Sequence, residues 1–406
     1  MIRRHMKWLP VALVAGVALT AACKDDLLDP PASEVDSLFD KYVALGNSIT
    51  AGFQSGGISD STQIQSYAAI LAGQMGVSEF NMPLMSRPGC PPPYINVFTQ
   101  DRGGYADDDC FLRVAPIPEN LHNVAVPGAA VVDALTNLSA SSDPNALTTF
   151  FLGGQTQLEA AAAIRPTFVS VWLGNNDVLG AILDANAGDP SLVTPPTEFA
   201  ASYAAVMDSI DAMGSVQGGV LIGVVQAAFA PYLSQGRAYA AAAASLPPGA
   251  LTVLANCLTD FFVIPGTTDT LWVSVPFHYG APIFGAAAAG LPQTLDCSVP
   301  AVVSSSEMAN MVGAVDAYNT AIAAEAAARG WAFLDPNSLL EDLLQDPTAI
   351  RPFPAFNPLD PQHETAPFGS AVSRDGIHPS AVTHEGVVEA LIAVINATYG
   401  TAIPEP

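Results

Sequence analysis

The chain has 406 residues, half of them hydrophobic and only 13% charged, with 32 glycines and 34 prolines. Such a composition can bury a large core, rich in loops, and excludes a disordered chain. A formal net charge of −25 argues against a nucleic-acid partner, whose phosphates this surface would repel.

In chain order, Arg3, Arg4 and Lys7 precede an apolar run from Leu9 to Ala22 that is too short to span a bilayer comfortably. This is the layout of a targeting segment. The run ends in Leu19-Thr20-Ala21-Ala22-Cys23, which resembles a bacterial lipoprotein signal except that Thr20 stands where leucine is more usual. The resemblance implies that residues 1–22 are a signal peptide and that Cys23 becomes the lipidated first residue. Several acyl chains on one cysteine would then anchor the protein to a membrane. Lys24-Asp25-Asp26 is similar to the export tag of surface lipoproteins in some Gram-negative groups, and reads equally well as solvated tether. The expected location is the bacterial cell envelope, as an outer-membrane lipoprotein, with residues 23–40 as tether and 41–400 as the folded domain.

Beyond the tether, short apolar runs alternate with helical patterns, which predicts an α/β fold on a parallel sheet. Strands are expected at 42–45, 123–126, 168–173, 220–225 and 331–334. Helices are expected at 61–75, 129–138, 158–163, 198–213, 306–329 and 381–399. In the fifth of these helices, Met308, Met311, Val312, Val315, Tyr318 and Ile322 recur at three- and four-residue steps, so one face packs on the sheet. Residues 80–120 and 227–305 break the rhythm and read as insertions. Each carries two cysteines: Cys90 and Cys110 in the first, Cys257 and Cys297 in the second. Four cysteines allow three connectivities; the sequence-local pairing, one disulfide per insertion, is favoured. None has the close spacing of a zinc site.

Four blocks carry chemistry. The first strand breaks at Gly46-Asn47-Ser48-Ile49-Thr50-Ala51-Gly52, presenting a serine just past its end. His122-Asn123-Val124-Ala125-Val126-Pro127-Gly128 ends the second with a glycine, whose N–H can approach a ligand closely. Trp172-Leu173-Gly174-Asn175-Asn176-Asp177 ends the third with two amides in a turn, and Asp375-Gly376-Ile377-His378 precedes the last helix. Singly, these are turns and helix caps. Together they supply a nucleophile (Ser48), a base (His378), an orienting carboxylate (Asp375), and oxyanion donors from the N–H groups of Ser48 and Gly128 and the side chain of Asn176. The turn is not Gly-x-Ser-x-Gly, because Ile49 and Thr50 follow the serine before Gly52. Aspartate and histidine also lie together near the C-terminus, unlike the α/β-hydrolase order.

In sequence and order the blocks resemble those of the SGNH, or GDSL, hydrolases. The resemblance implies a flavodoxin-like three-layer α/β/α sandwich with a five-stranded parallel sheet over about residues 41–400, with both insertions outside it. It also implies a serine esterase that needs no cofactor, with Ser48, Asp375 and His378 catalytic and Ser48, Gly128 and Asn176 forming the oxyanion hole. One departure is Asn47, where the family name expects aspartate; the amide would lower the negative charge beside the developing oxyanion.

A metal site is the weaker rival. Asp107, Asp108 and Asp109 read as a solvated loop, and His122, His278, His363 and His384 lack partners in sequence. Asn137-Leu138-Ser139 and Asn396-Ala397-Thr398 match glycosylation sequons, which a bacterial signal makes irrelevant. The expected substrate is a lipid or other acyl ester, acted on by a monomer. The alternatives are O-acetyl glycan deacetylation and a non-catalytic surface-binding lipoprotein. Phe261, Phe262, Phe277, Tyr279 and Phe284 would either wall an acyl chain or fill the second insertion's own core.

Overall fold

The computed structural model describes residues 36–136, 146–265, 267–354 and 365–406. The expected signal peptide, Cys23, the tether up to residue 35, Asn137 and His363 lie outside the described residues.

Strands β1 (Tyr42–Gly46), β2 (Phe168–Trp172), β3 (Gly218–Ile222) and β4 (Ala332–Leu334) form one parallel sheet in the spatial order β1-β2-β3-β4. Every residue of β1, β2 and β3 is buried, so these strands are apolar on both faces rather than alternating, except at Ser170, whose hydroxyl is bonded to that of Tyr42. The principal helices, in chain order, are α1 (Ser48–Ala51), α2 (Tyr67–Gln74), α3 (Gln157–Ile164), α4 (Asn176–Leu183) and α5 (Pro196–Ala212). They continue as α6 (Phe277–Ala288), α7 (Ser305–Arg329), α8 (Asn337–Gln345) and α9 (Ala381–Tyr399).

The period of two along the strands sorts side chains into two layers. Val43, Leu45, Val169, Val171 and Leu221 pack with α3, α5 and α7. Tyr42, Ala44, Phe168, Trp172, Val220 and Ile222 pack with α2 and α9. Each large apolar side chain so enclosed contributes roughly 1.5–3 kcal/mol. Helix α7 begins in a capping box, with the Ser304 hydroxyl accepting from the Glu307 N–H and the Glu307 carboxylate accepting from the Ser304 N–H, and ends at left-handed Gly330.

Among the described residues the sheet has four strands, not the expected five. The missing one, expected second in the chain at 123–126, does lie along the free edge of β1. Ala44 N–H donates to His122 O, Val124 N–H to Ala44 O, and Val126 N–H to Gly46 O, but only Ala44 and Asn123 form a bridge. The bond that would continue the ladder is missing: Gly46 N–H, which Val124 O would take in a regular parallel pair, donates to Gln157 Oε1 instead, while the Asn123 side chain accepts from Ala125 N–H and donates to Thr50 O. Counting this segment as the second crossing, the order becomes 2-1-3-4-5, and the chain reverses its winding at β1.

Two expected helices also differ. The pattern at 61–75 divides into Asp60–Gln63 and α2, because the Ser66 hydroxyl accepts from Ala69 N–H and starts a new helix. The one at 129–138 is a single 3₁₀ turn, Val131–Ala134, with the residues from 137 outside those described.

Cys90 is bonded to Cys110 and Cys257 to Cys297. The second insertion holds three two-stranded ribbons and a core of its own, in which Tyr239, Val275 and Phe277 pack with Phe353 and Phe368.

Candidate active site

Gly46 and Trp172 are paired in register, so the loops that follow β1 and β2 emerge side by side at the carboxyl edge of the sheet. This is the point where the winding reverses, and open α/β sheets form their ligand crevice there.

The first loop is built by close approach. A Cβ on Gly46 would lie 2.1 Å from Thr50 Oγ1. The Gly46 peptide is clamped by one side chain, since its N–H donates to Gln157 Oε1 and its carbonyl accepts from Gln157 Nε2, both at 2.9 Å. Asn47, fully buried, caps α1 by accepting from Ile49 N–H at 3.2 Å. Ser48 is thus the first residue of a helix, where its own N–H has no partner within the helix.

The second component is a tight loop near the C-terminus. Asp375 Oδ1 accepts from the backbone N–H groups of Ile377 and His378, each at 2.9 Å, and from the Ser373 hydroxyl at 3.1 Å. Its Oδ2 lies 2.8 Å from His378 Nδ1 and also accepts from Gly56 N–H at 2.7 Å. Burial pushes this carboxyl up, but His378 and the convergent N–H donors outweigh it and hold the group at about 2, so it is charged. His378 Nε2 lies 2.9 Å from Ser48 Oγ, and the Phe53 ring packs on the imidazole with centroids 4.9 Å apart. Ser48, His378 and Asp375 therefore form one hydrogen-bonded chain. With Nδ1–H given to the carboxylate, Nε2 is left as an acceptor for the serine proton.

The expected oxyanion donors are arranged less directly. Gly128 is exposed in a left-handed turn with φ 84°. Asn176 donates one amide hydrogen to Ala129 O at 2.9 Å, which ties its side chain to the Gly128 turn and leaves a second hydrogen. Asn175, passed over in the sequence, lines the cavity beside Ser48, and its Oδ1 accepts from Asn47 Nδ2 at 3.5 Å. Asp177, almost fully buried, accepts from Val131 N–H and the Thr194 hydroxyl, each at 2.9 Å; burial raises its carboxyl to about 7.

Two cavities meet at Ile377 and His378. One, of 120 Å³, reaches Ser48 and is walled by aliphatic side chains from α8, α9 and the loop after β3. The other, of 830 Å³, is lined by Phe53, Tyr94, Phe277 and Phe284 together with Arg102 and His278. The insertion aromatics divide between the lining of the wide cleft and packing within the insertion. Phe277 and Phe284 line the wide cleft and also pack with Phe353, whereas Phe261 packs at a tilt against Trp272 in an exposed ribbon.

The remaining candidates lie elsewhere. Asp107 pairs with Arg102, and His122 Nδ1 accepts from Asn81 N–H. His278 Nδ1 bonds the Tyr232 hydroxyl at 2.7 Å, and His384 is buried behind α2 with Nδ1 accepting from Tyr67 N–H. Sequence reasoning missed Gln157, Gly56 and Phe53; none has a local signal, because each acts on a residue distant in the chain.

No protein-family model matches the chain, and no curated protein matches it. Among solved structures it is similar to the acetylxylan esterase Axe2 from Geobacillus stearothermophilus, at 14% identity and a TM-score of 0.38, covering 88% of this chain and 94% of that one. It is also similar to LAE5, an α/β hydrolase enzyme from the metagenome of Lake Arreo, Spain, at 15% identity and a TM-score of 0.36, covering 88% and 96%. Likeness at this level assigns neither a family nor a substrate.

Proposed function

We propose that the protein is a serine hydrolase of carboxylic esters, working through an acyl-enzyme in the manner of the SGNH hydrolases. The observation that carries the reading is the chain from Ser48 Oγ through the His378 imidazole to Asp375 Oδ2, at 2.9 and 2.8 Å. In the first half-reaction Ser48 Oγ attacks the ester carbonyl carbon while His378 Nε2 takes the serine proton. The tetrahedral oxyanion is met by the N–H groups of Ser48 and Gly128 and the free amide hydrogen of Asn176. Collapse breaks the bond to the alcohol oxygen, which takes the proton from His378 and leaves. Water then attacks the acyl-serine with His378 again as base, releasing the acid and restoring the hydroxyl. The sequence requires no cofactor.

Acyl esters are favoured as substrates because an aliphatic cavity adjoins Ser48. Deacetylation of glycans is the second reading, favoured by the aromatic walls of the wide cleft. The lipid anchor on Cys23, and with it the outer membrane as location, rests on the sequence at residues 1–26. Incorporation of labelled fatty acid by wild type but not Cys23→Ala tests it.

The function is tested by turnover of short p-nitrophenyl esters and acetylated sugars by wild type and Ser48→Ala. The reading predicts release by wild type, with activity reduced by about 10³-fold or more in the variant. Turnover of none of these esters by the folded wild type would remove it and favour a binding role.

A further inference from the structure

We propose that the ester binds astride His378, its acyl half an alkyl chain in the narrow cavity beneath α8 and its alcohol half in the wide aromatic cleft. Leu340 and Leu343 would then set the chain length. The inference deepens the hydrolase reading and rests on it.

Helix α8 supplies the first observation. Its sequence is strongly amphipathic, with Leu339, Leu340 and Leu343 on one face and Glu341, Asp342 and Gln345 on the other, yet none of its residues is buried. An amphipathic helix normally closes its apolar face against a core. Here the three leucines line the cavity that runs to Ser48, and Ile350 and Val387 complete its wall. The helix roofs an apolar space continuous with the nucleophile.

The second observation is how the two cavities share the triad. Ser48 lines the narrow one and Asp375 the wide one, while Ile377 and His378 line both. In ester cleavage the acyl carbon bonds to Ser48 Oγ, and the departing oxygen must lie by the imidazole that protonates it. The scissile bond therefore sits at the junction, with one half of the substrate in each cavity. Chemistry decides which half goes where. A polyhydroxylated alcohol in the narrow cavity, whose lining is apolar apart from Ser48, Asn175, Gln226, His378 and Thr383, would bury most of its hydroxyls without partners, each at an appreciable penalty, whereas an alkyl chain needs none. The wide cleft instead offers Asn96, Gln100 and His278 among the rings of Tyr94 and Phe284. Polar donors between flat apolar faces suit a sugar or similar polyol.

The test measures kcat/KM for p-nitrophenyl acetate, butyrate, hexanoate and octanoate with wild type, Leu343→Trp and Leu343→Ala. Wild type is expected to gain about fourfold for each methylene that enters the cavity, then to level off. Leu343→Trp, which fills the cavity, should lower the octanoate-to-acetate ratio about tenfold or more. Leu343→Ala should carry the plateau to longer chains, and it reads the same cavity if the tryptophan variant does not fold. Phe284→Ala should raise KM for an octanoylated sugar while leaving the p-nitrophenyl octanoate-to-acetate ratio in place. A flat wild-type series, or ratios unmoved in both Leu343 variants, overturns the proposal. If Ser48→Ala is inactive while the ratios are flat, only the placement of the acyl chain falls. If Ser48→Ala retains full activity, the hydrolase reading falls with it.

Discussion

The backbone N–H of Gly56 donates to Asp375 Oδ2 at 2.7 Å, although the two residues are 319 apart in sequence. That oxygen is the one that faces His378 Nδ1. The loop after β1 therefore supplies both the serine and, eight residues on, a donor that holds the orienting carboxylate in place. With its carboxyl held at about 2, Asp375 stays ionised through mildly acid pH.

Replacing that carboxylate with an amide should disable the imidazole without unfolding the loop. Asp375→Asn keeps the shape but presents an N–H, or a neutral oxygen, to His378 Nδ1. The wrong tautomer is then favoured, and kcat should fall by about 10³- to 10⁴-fold. Ester turnover, alongside a circular dichroism spectrum matching wild type, checks this.

The two asparagines after β2 should separate by role. Asn176, tied to the Gly128 turn through Ala129 O, is the side chain assigned to the oxyanion. Asn176→Ala should lower kcat by about 10²- to 10³-fold with little change in KM. Asn175→Ala removes a cavity-lining group bonded to Asn47, so its larger effect should be on KM. Reversal of the two patterns would move the oxyanion role to Asn175.

His384 should make the fold acid-sensitive. Burial, with a smaller contribution from His378, lowers its imidazole from the usual 6.5 to about 3. Between those values the unfolded chain binds a proton that the folded chain refuses, so stability is complete above about 6.5 and declines as the pH falls through the window. Asp177, raised to about 7, acts in the opposite sense between 7 and 3.8, and the depressed Asp375 contributes a loss only below about 3.8. The comparison therefore needs a variant: His384→Asn offers an oxygen to Tyr67 N–H and cannot titrate. Its Tm should drop less than the wild-type Tm between pH 7 and pH 4.

The Cys90–Cys110 disulfide closes a loop with a separation of 20 residues. Within it, Cys90 N–H donates to Ile58 O and Tyr94 N–H to Ser55 O, on either side of Gly56. Replacing both cysteines with serine should cost about 3 kcal/mol of stability by the loop-entropy relation, and should lower kcat because the Gly56 donor is less fixed. Urea unfolding and ester turnover measure the two effects. Unchanged kcat in the folded variant would show that the Gly56 contact does not depend on this staple.

Much of the fold was legible because its elements declare themselves locally. Residues 381–399 and β1 carry their periodicity and their glycine or serine boundaries within a few residues, and α7 carries its capping box. The pairing of cysteines within each insertion is also local. The fifth strand misled because what interrupts its ladder is remote in sequence: Gly46 N–H, which Val124 O would take, donates to Gln157 Oε1, 111 residues away. In the site, the serine, aspartate and histidine stood out by type and order. Gln157 and Gly56 did not, because nothing near Gln157 marks it as the clamp on a peptide 111 residues away. The two cavities were equally hidden, since each is walled by segments that meet only in the folded chain.

The central claim is that Ser48 is the nucleophile, and covalent labelling tests it most directly. Incubation of the folded protein with a fluorophosphonate, followed by mass spectrometry of its peptides, should find one adduct, on Ser48. The adduct should be absent in Ser48→Ala and strongly slowed in His378→Ala. An adduct on a different residue, or ester turnover that persists in protein whose Ser48 remains unlabelled, would contradict the account.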